Sequence, residues 1–326
     1  MAKLSYKVSY YALYVMFAII LVVLGMFFFG GDAQGDAVLA SVDAEMWQPA
    51  HTDALIYLMY ILFFVAIIAT VVGVLFQFGA ALKDNPGAAL KSLIGLDNTC
   101  INWFFIPNNE SRTPDINDKS NFKLSDYDAI YNGPKSPNVK SLYLTFDEGY
   151  ENGYTEQILD VLKEKNVKAI FFVTSHYITY SPDTVKRMVD EGHIVANHTN
   201  HHYSMPSVTY STDVFNKELT DVEEKFKALT GKDMPKFFRP PMGQYSQKSL
   251  AMTKDLGYKT VFWSFAYGDY EPSNQPSPYE GKKNILDHLH DGSILLLHAI
   301  SKTNADILGE VIDEARKSGY EFYLLP

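Results

Sequence analysis

The cluster "NHTNHH", Asn197 to His202, sets His198 and His202 four residues apart. One turn of helix or a tight loop can then aim both imidazoles at one ion while His201 points elsewhere. Upstream, the apolar run "LYLTF" stops on two carboxylates, Asp147 and Glu148. Two imidazoles and a carboxylate match a catalytic zinc site, which keeps open positions for water and substrate and so suits hydrolysis. A lone histidine pair at this spacing is more often a surface or satisfied core feature. Each further candidate also has a structural reading: Asp147 as a helix N-cap, Arg239 in a surface ion pair, Asp269 as a turn residue before Pro272, His298 as a buried strand-end histidine. What sets them apart is where the sequence places them together.

From Ser141 onward, apolar runs ("SLYLTF", "KAIFFV", "HIVAN", "KFFR", "KTVFWSF", "SILLLH", "YEFYLL") alternate with amphipathic stretches such as "TEQILDVLKEKN" and "STDVFNKELTDVEEKFKALTG". Capping residues such as Ser181, Ser211 and Ser246 open several of the stretches, and Gly192, Gly231, Gly257 or Gly319 close them. The pattern predicts an α/β fold of about seven βα units. Its near-continuous apolar strands are buried on both faces, which fits a closed or nearly closed barrel. Asp147 ends the first strand, His198 the third, Arg239 the fourth and His298 the run "SILLLH", while Asp269 lies just beyond "TVFWSF". All stand at carboxyl ends, the face where a parallel α/β barrel gathers side chains from several loops over one opening. No glycine fingerprint for a dinucleotide follows the first strand. His176, His193, His288 and His290 have no such company and read as structural.

The first hundred residues differ in kind. Two uncharged runs, about 10–29 and 54–82, are each long enough to cross a bilayer, so 1–97 is expected to be a two-helix transmembrane hairpin and the lipid bilayer a partner. Residues 98–139 are polar and rich in Asn, Asp, Ser and Pro, as a linker would be. The third domain is 140–326. Lysines flank both ends of the hairpin, which by the positive-inside rule places those ends in the cytoplasm. Over its 326 residues the chain carries a net charge of -10 with no basic stripe, which excludes nucleic acid as a partner. Cys100 is the only cysteine, so any metal must be held by histidine and carboxylate.

The segments "TFDEGY", "NHTNHH", "FFRPPMG", "FWSFAYGDY" and "ILLLH" resemble, in order and spacing, the five motifs of the polysaccharide deacetylase family, also called NodB-homology or carbohydrate esterase family four. The resemblance spans roughly Ser141 to Pro326. It is closest to the delta-lactam-biosynthetic branch, which removes acetyl from N-acetylmuramic acid of peptidoglycan. It implies a distorted (β/α) barrel and metal-dependent de-N-acetylation of a cell-wall glycan. Chitin-like oligosaccharide or exopolysaccharide is the alternative substrate, and an inactive membrane-anchored glycan-binding protein the alternative function.

Carried over by position, Asp147 would be the general base, His298 the general acid, and His198, His202 and Glu148 the ligands of a divalent metal, zinc by the family's habit. Arg239 would hold Asp147 ionised and Asp269 would orient His298. A backbone N–H in the turn Pro241, Met242, Gly243 would face the substrate oxyanion. Such a substrate lies outside the cytoplasmic membrane, so the catalytic domain is expected there, against the lysine distribution. Three positions depart from the family pattern. Glu148 stands where a second Asp, or Asn in the muramic-acid branch, is usual. Met242 replaces a Tyr, and Ala266 replaces the earlier acid of the fourth motif.

Overall fold

A computed structural model describes residues 62, 95–116 and 120–326. The chain divides into two units, Met1–Ala89 and Leu90–Pro326, and the strands and helices that build the site belong to the second. Three short strands come first: β1 (Ile101–Asn102), β2 (Phe105–Ile106) and β3 (Asp115–Ile116). β4 (Ala129–Ile130), β5 (Lys140–Glu148), β6 (Ile170–Val173), β7 (Ile194–Asn197) and β8 (Phe237–Phe238) come next. The last are β9 (Gln244–Tyr245), β10 (Lys259–Val261), β11 (Ser293–His298) and β12 (Tyr320–Phe322).

The large sheet is parallel and runs β11-β5-β6-β7-β8-β10-β4, with β12 beside β5 off this path. Between its two ends only isolated bridges form, Phe265 with Leu295 and Asn132 with Ser293. The barrel expectation is met by a ring with a thin seam. Two strand assignments differ from the sequence reading. "YEFYLL" supplies β12, which pairs with β5 outside the ring. The ring place falls instead to β4, from the stretch expected to be a linker. That stretch has enough apolar surface to join the body: Trp103 stacks on Phe262 with ring centroids 4.4 Å apart and donates Nε1–H to the Trp263 carbonyl at 3.0 Å.

The helices of this unit are α1 (Thr155–Glu164), α2 (Ser175–Tyr180), α3 (Pro182–Asp190), α4 (Met205–Val208), α5 (Thr212–Thr230), α6 (Gln247–Asp255), α7 (Pro278–Asp287) and α8 (Lys302–Lys317). The Ser211 side chain caps α5 by accepting from the Val214 amide, and Gly231 closes that helix in the left-handed region at φ 71°. β5 shows how the layers form. Its side chains alternate between faces, and both faces are buried. Tyr143 packs inside the ring with Ile170, Phe172, Val261 and Ile294. Leu142, Leu144 and Phe146 pack outward against helix residues such as Ile158, Leu162 and Ile312. The same alternation puts Asp147 on the inner face and Glu148 on the helix side.

The expectation of a transmembrane hairpin, of a membrane location and of the bilayer as partner is corrected. Among the described residues no helix is long and apolar enough to cross a membrane. The longest of these helices, α5, has 19 residues, but charges interrupt it because only one of its faces packs on the sheet. The runs 10–29 and 54–82, apart from Leu62, lie outside the described residues.

Candidate active site

Parallel pairing sets Asp147, at the end of β5, beside His298, at the end of β11, as direct register partners. His198 follows β7, tied by its amide to the Val173 carbonyl at 3.0 Å, and Arg239 follows β8, tied to the Asn197 carbonyl at 3.0 Å. Asp147, His298 and His198, with His202, face one cleft of about 630 Å³, whose walls include Tyr150 and Tyr203, while Arg239 lies fully buried outside its lining.

A tight loop, rather than a helical turn, brings the two imidazoles together. Thr199 and His202 both adopt left-handed backbone, φ 74° and 59°, and the His202 amide donates to Thr199 Oγ1 at 2.8 Å. Such conformations are costly outside glycine and persist where the surroundings fix them. The rings of His198 and His202 stand 4.9 Å apart. His198 Nδ1 lies 2.9 Å from the Arg239 carbonyl, which can only accept, so Nδ1 carries the proton and Nε2 presents its lone pair. That Nε2 is 3.6 Å from Asp147 Oδ2. Burial keeps both rings neutral: it lowers His198 to about 4, with Asp147 opposing in part, and lowers His202 as well. Neutral imidazoles with free nitrogen lone pairs beside a carboxylate fit a divalent cation. His201 turns aside to Glu218.

Glu148 does not join this group. Its side chain is fully buried on the helix side of β5, and neither carboxylate oxygen has a hydrogen-bond partner. Burial, then the charges of Glu151 and Asp147, push its carboxyl well above the usual range and so favour its neutral form. Among the described residues no three His, Cys, Asp or Glu stand together as a ready metal cage.

Asp147 is placed by Arg239, whose Nη1 donates to Oδ1 at 2.8 Å. The guanidinium is fully buried, gives Nε–H to the Val261 carbonyl at 3.0 Å and lies 4.2 Å over the Phe172 ring. Burial alone would raise the Asp147 carboxyl, but Arg239, with His298 behind it, outweighs that and holds it below its ordinary value. His298 is the mirror case. Its Nδ1–H donates to Asp269 Oδ1 at 2.8 Å and its amide to Asp269 Oδ2 at 2.8 Å. Burial would lower the imidazole, yet Asp269 carries it above 6.5. One cleft therefore holds a carboxylate kept ionised and an imidazole that favours its proton, the division of labour of general base and general acid.

The turn Pro241–Gly243 follows Arg239 but supplies none of the residues lining the cleft. Its Gly243 amide is spent on the Pro240 carbonyl, and Met242 is exposed at φ 58°. Asn304 was not foreseen: from α8 its Nδ2 donates to Asp269 Oδ2 at 2.6 Å, and the Tyr267 hydroxyl holds its Oδ1. In the sequence Asn304 reads only as a residue in the first turn after the cap Ser301, and nothing there shows that the helix end abuts Asp269.

The family profile of polysaccharide deacetylase matches residues 135–261. Peptidoglycan-N-acetylmuramic acid deacetylase PdaA of Bacillus subtilis is 44% identical over 248 residues, which cover 74% of this chain and 90% of that protein. The solved structure of Bacillus subtilis PdaA, a family 4 carbohydrate esterase, aligns with a TM-score of 0.67 at 40% identity, covering 70% of this chain and 96% of that one. A family 4 carbohydrate esterase from Bacillus anthracis aligns at 0.57 and 42% identity, covering 71% and 96%. With identity of this order across nine-tenths of a characterised relative, this chain belongs to the polysaccharide deacetylase family, carbohydrate esterase family 4.

Proposed function

We propose that this protein hydrolyses the N-acetyl group of a cell-wall glycan, with N-acetylmuramic acid of peptidoglycan as the reacting sugar. The observation that carries the reading is the pair of opposed partners on adjacent strands, Asp147 with Arg239 and His298 with Asp269. Similarity to PdaA supports the choice of sugar. We assign catalysis to residues 140–326.

His198 and His202 would hold a divalent ion, zinc on the chemistry of two imidazoles, which when bound polarises the acetyl carbonyl and makes water more acidic. Asp147, ionised and fixed by Arg239, takes a proton from water as its oxygen bonds to the carbonyl carbon. If a backbone donor of the turn after Arg239 meets the tetrahedral oxyanion, it would have to be Met242, since Pro241 has no N–H and that of Gly243 is committed. His298 gives its proton to the amide nitrogen as the C–N bond breaks, leaving acetate and a free amine on the sugar. Asp269 keeps the His298 Nδ1 protonated, so the transferable proton sits on Nε2. Glu148 takes no part. An inactive protein would result from Glu148 spoiling the metal site, and its burial behind β5 speaks against that reading.

The test is acetate release from purified peptidoglycan, with mass spectrometry of the digested muropeptides. Muramic acid lacking its acetyl group is the expected product. Release only from N-acetylglucosamine would overturn the choice of sugar, and no release from any acetylated glycan at any divalent-metal supplement would overturn the activity.

A further inference from the structure

His201 stands between the two imidazoles of the site in sequence, yet takes no part there. The loop that carries it is fastened to α5 at four points. The Asn200 amide donates to the Glu218 carbonyl at 2.8 Å and its Nδ2 to Asp221 Oδ2 at 3.0 Å. The His201 amide donates to Glu218 Oε2 at 2.9 Å, and its ring Nδ1 meets Oε1 at 2.6 Å. Glu218 is only 3% exposed. Burying a carboxylate is costly unless its oxygens are satisfied, and here both are satisfied by the one residue His201.

What the clamp delivers is a surface. The His201 side chain remains 54% exposed, and its ring stacks on that of Tyr203, centroids 5.1 Å apart at 17°, with Tyr203 49% exposed. Both residues line the same cleft as Asp147, His198 and His298. A flat aromatic face, rigid because its inner ring is pinned, is the shape that takes the apolar face of a pyranose ring.

We propose that Tyr203 backed by His201 forms a sugar-binding subsite for a glycan residue next to the one being deacetylated, with Glu218 as its positioning residue. The inference rests on the glycan reading above and adds that the protein measures chain length at this platform. The reacting sugar contacts Asp147 and His298, while its neighbour lies on Tyr203, so only substrates longer than one sugar gain from the ring.

The test compares kcat/KM for a glycan oligomer with that for a single N-acetylated sugar in the full-length protein. In Tyr203→Ala the preference for the oligomer should fall about tenfold, chiefly through KM. Tyr203→Phe should restore it, because the ring rather than the hydroxyl does the stacking. Glu218→Gln should fall between the two. A Tyr203→Ala protein with the wild-type length preference, or one that loses both substrates in equal proportion, overturns the subsite. Calorimetric binding of the oligomer provides a reading independent of turnover. If the wild type cleaves neither substrate, the deacetylase assignment fails. The platform is then judged on binding alone: loss in Tyr203→Ala supports it, and retention overturns it. Thermal melts identify a variant that has unfolded, in which case His201→Phe, which keeps a stacked ring but breaks the Glu218 clamp, should weaken oligomer binding, and unchanged binding overturns the inference.

Discussion

Asp147 and His298 hold opposite proton preferences because each has one partner of opposite charge, and the pH profile reflects that. In the proposed role of acid His298 acts protonated, and since Asp269 raises its pKa, activity should be lost as pH rises through that raised value. Asp269→Asn removes the carboxylate that raises it, and the alkaline limb of kcat should move toward lower pH. Asp147→Asn should lower kcat by about a hundredfold or more, the scale of losing a general base. It should also lower the melting temperature, since Arg239 is left buried without its anion, a change worth about 3–5 kcal/mol. Glu148 gives the contrasting case. Its folded value lies above 4.5, so its contribution to stability is fully present below that pH and is lost as pH rises through the folded value. Glu148→Gln should leave bound metal unchanged, measured by elemental analysis, and should melt higher than the wild type at neutral pH but not in acid. Loss of metal in this variant would return Glu148 to the ligands.

At the scale of elements, the turn after β8 is tightly constrained. Gly243 lies at φ 63°, and a methyl group there would come within 2.8 Å of the Trp263 ring and 2.9 Å of Trp103 Cβ. Gly243→Ala should therefore cost about 1–3 kcal/mol, read from denaturant or thermal unfolding. Because Trp263 also lies 5.7 Å from the Arg239 guanidinium, activity should fall with stability. The elements that bear the site were legible from strand-end positions: Asp147, His198, Arg239 and His298 all read as carboxyl-end residues, and the structure sets Asp147, His198 and His298 on one cleft with Arg239 buried behind Asp147. Glu148 was misplaced because the motif adjoins it to Asp147, whereas a strand sends neighbours to opposite faces. Asn304 and Glu218 were invisible for another reason. Each acts through a contact between elements distant in the chain, and no local pattern marks a helix end that meets a loop about 35 residues away, or a helical carboxylate that clamps one.

For the molecule as a whole, the core clusters around β5 and the helices do not involve His198 or His202. Chelation should abolish turnover and lower the melting temperature by mass action, while far-UV circular dichroism remains that of the folded barrel. Collapse of the dichroism on chelation would make the ion structural. The alternating βα order was legible because burial on both faces leaves long apolar runs. The exchange of β12 for β4 in the ring was not, since two-residue strands such as Ala129–Ile130 carry no period to read.

The seam beside β11 has a consequence in time. Asp147 lies in β5, His198 and His202 in the loop after β7, and Arg239 just after β8, and these strands are made and can pair before β11 exists. Their partner His298 is 151 positions beyond Asp147 and joins only when the last ring strand docks. Such distant pairings form late in folding. On the proposed roles, a newly made chain would thus gain the capacity to bind an ion before it gains the proton donor, and refolding tracked by both signals should show metal uptake ahead of acetate release.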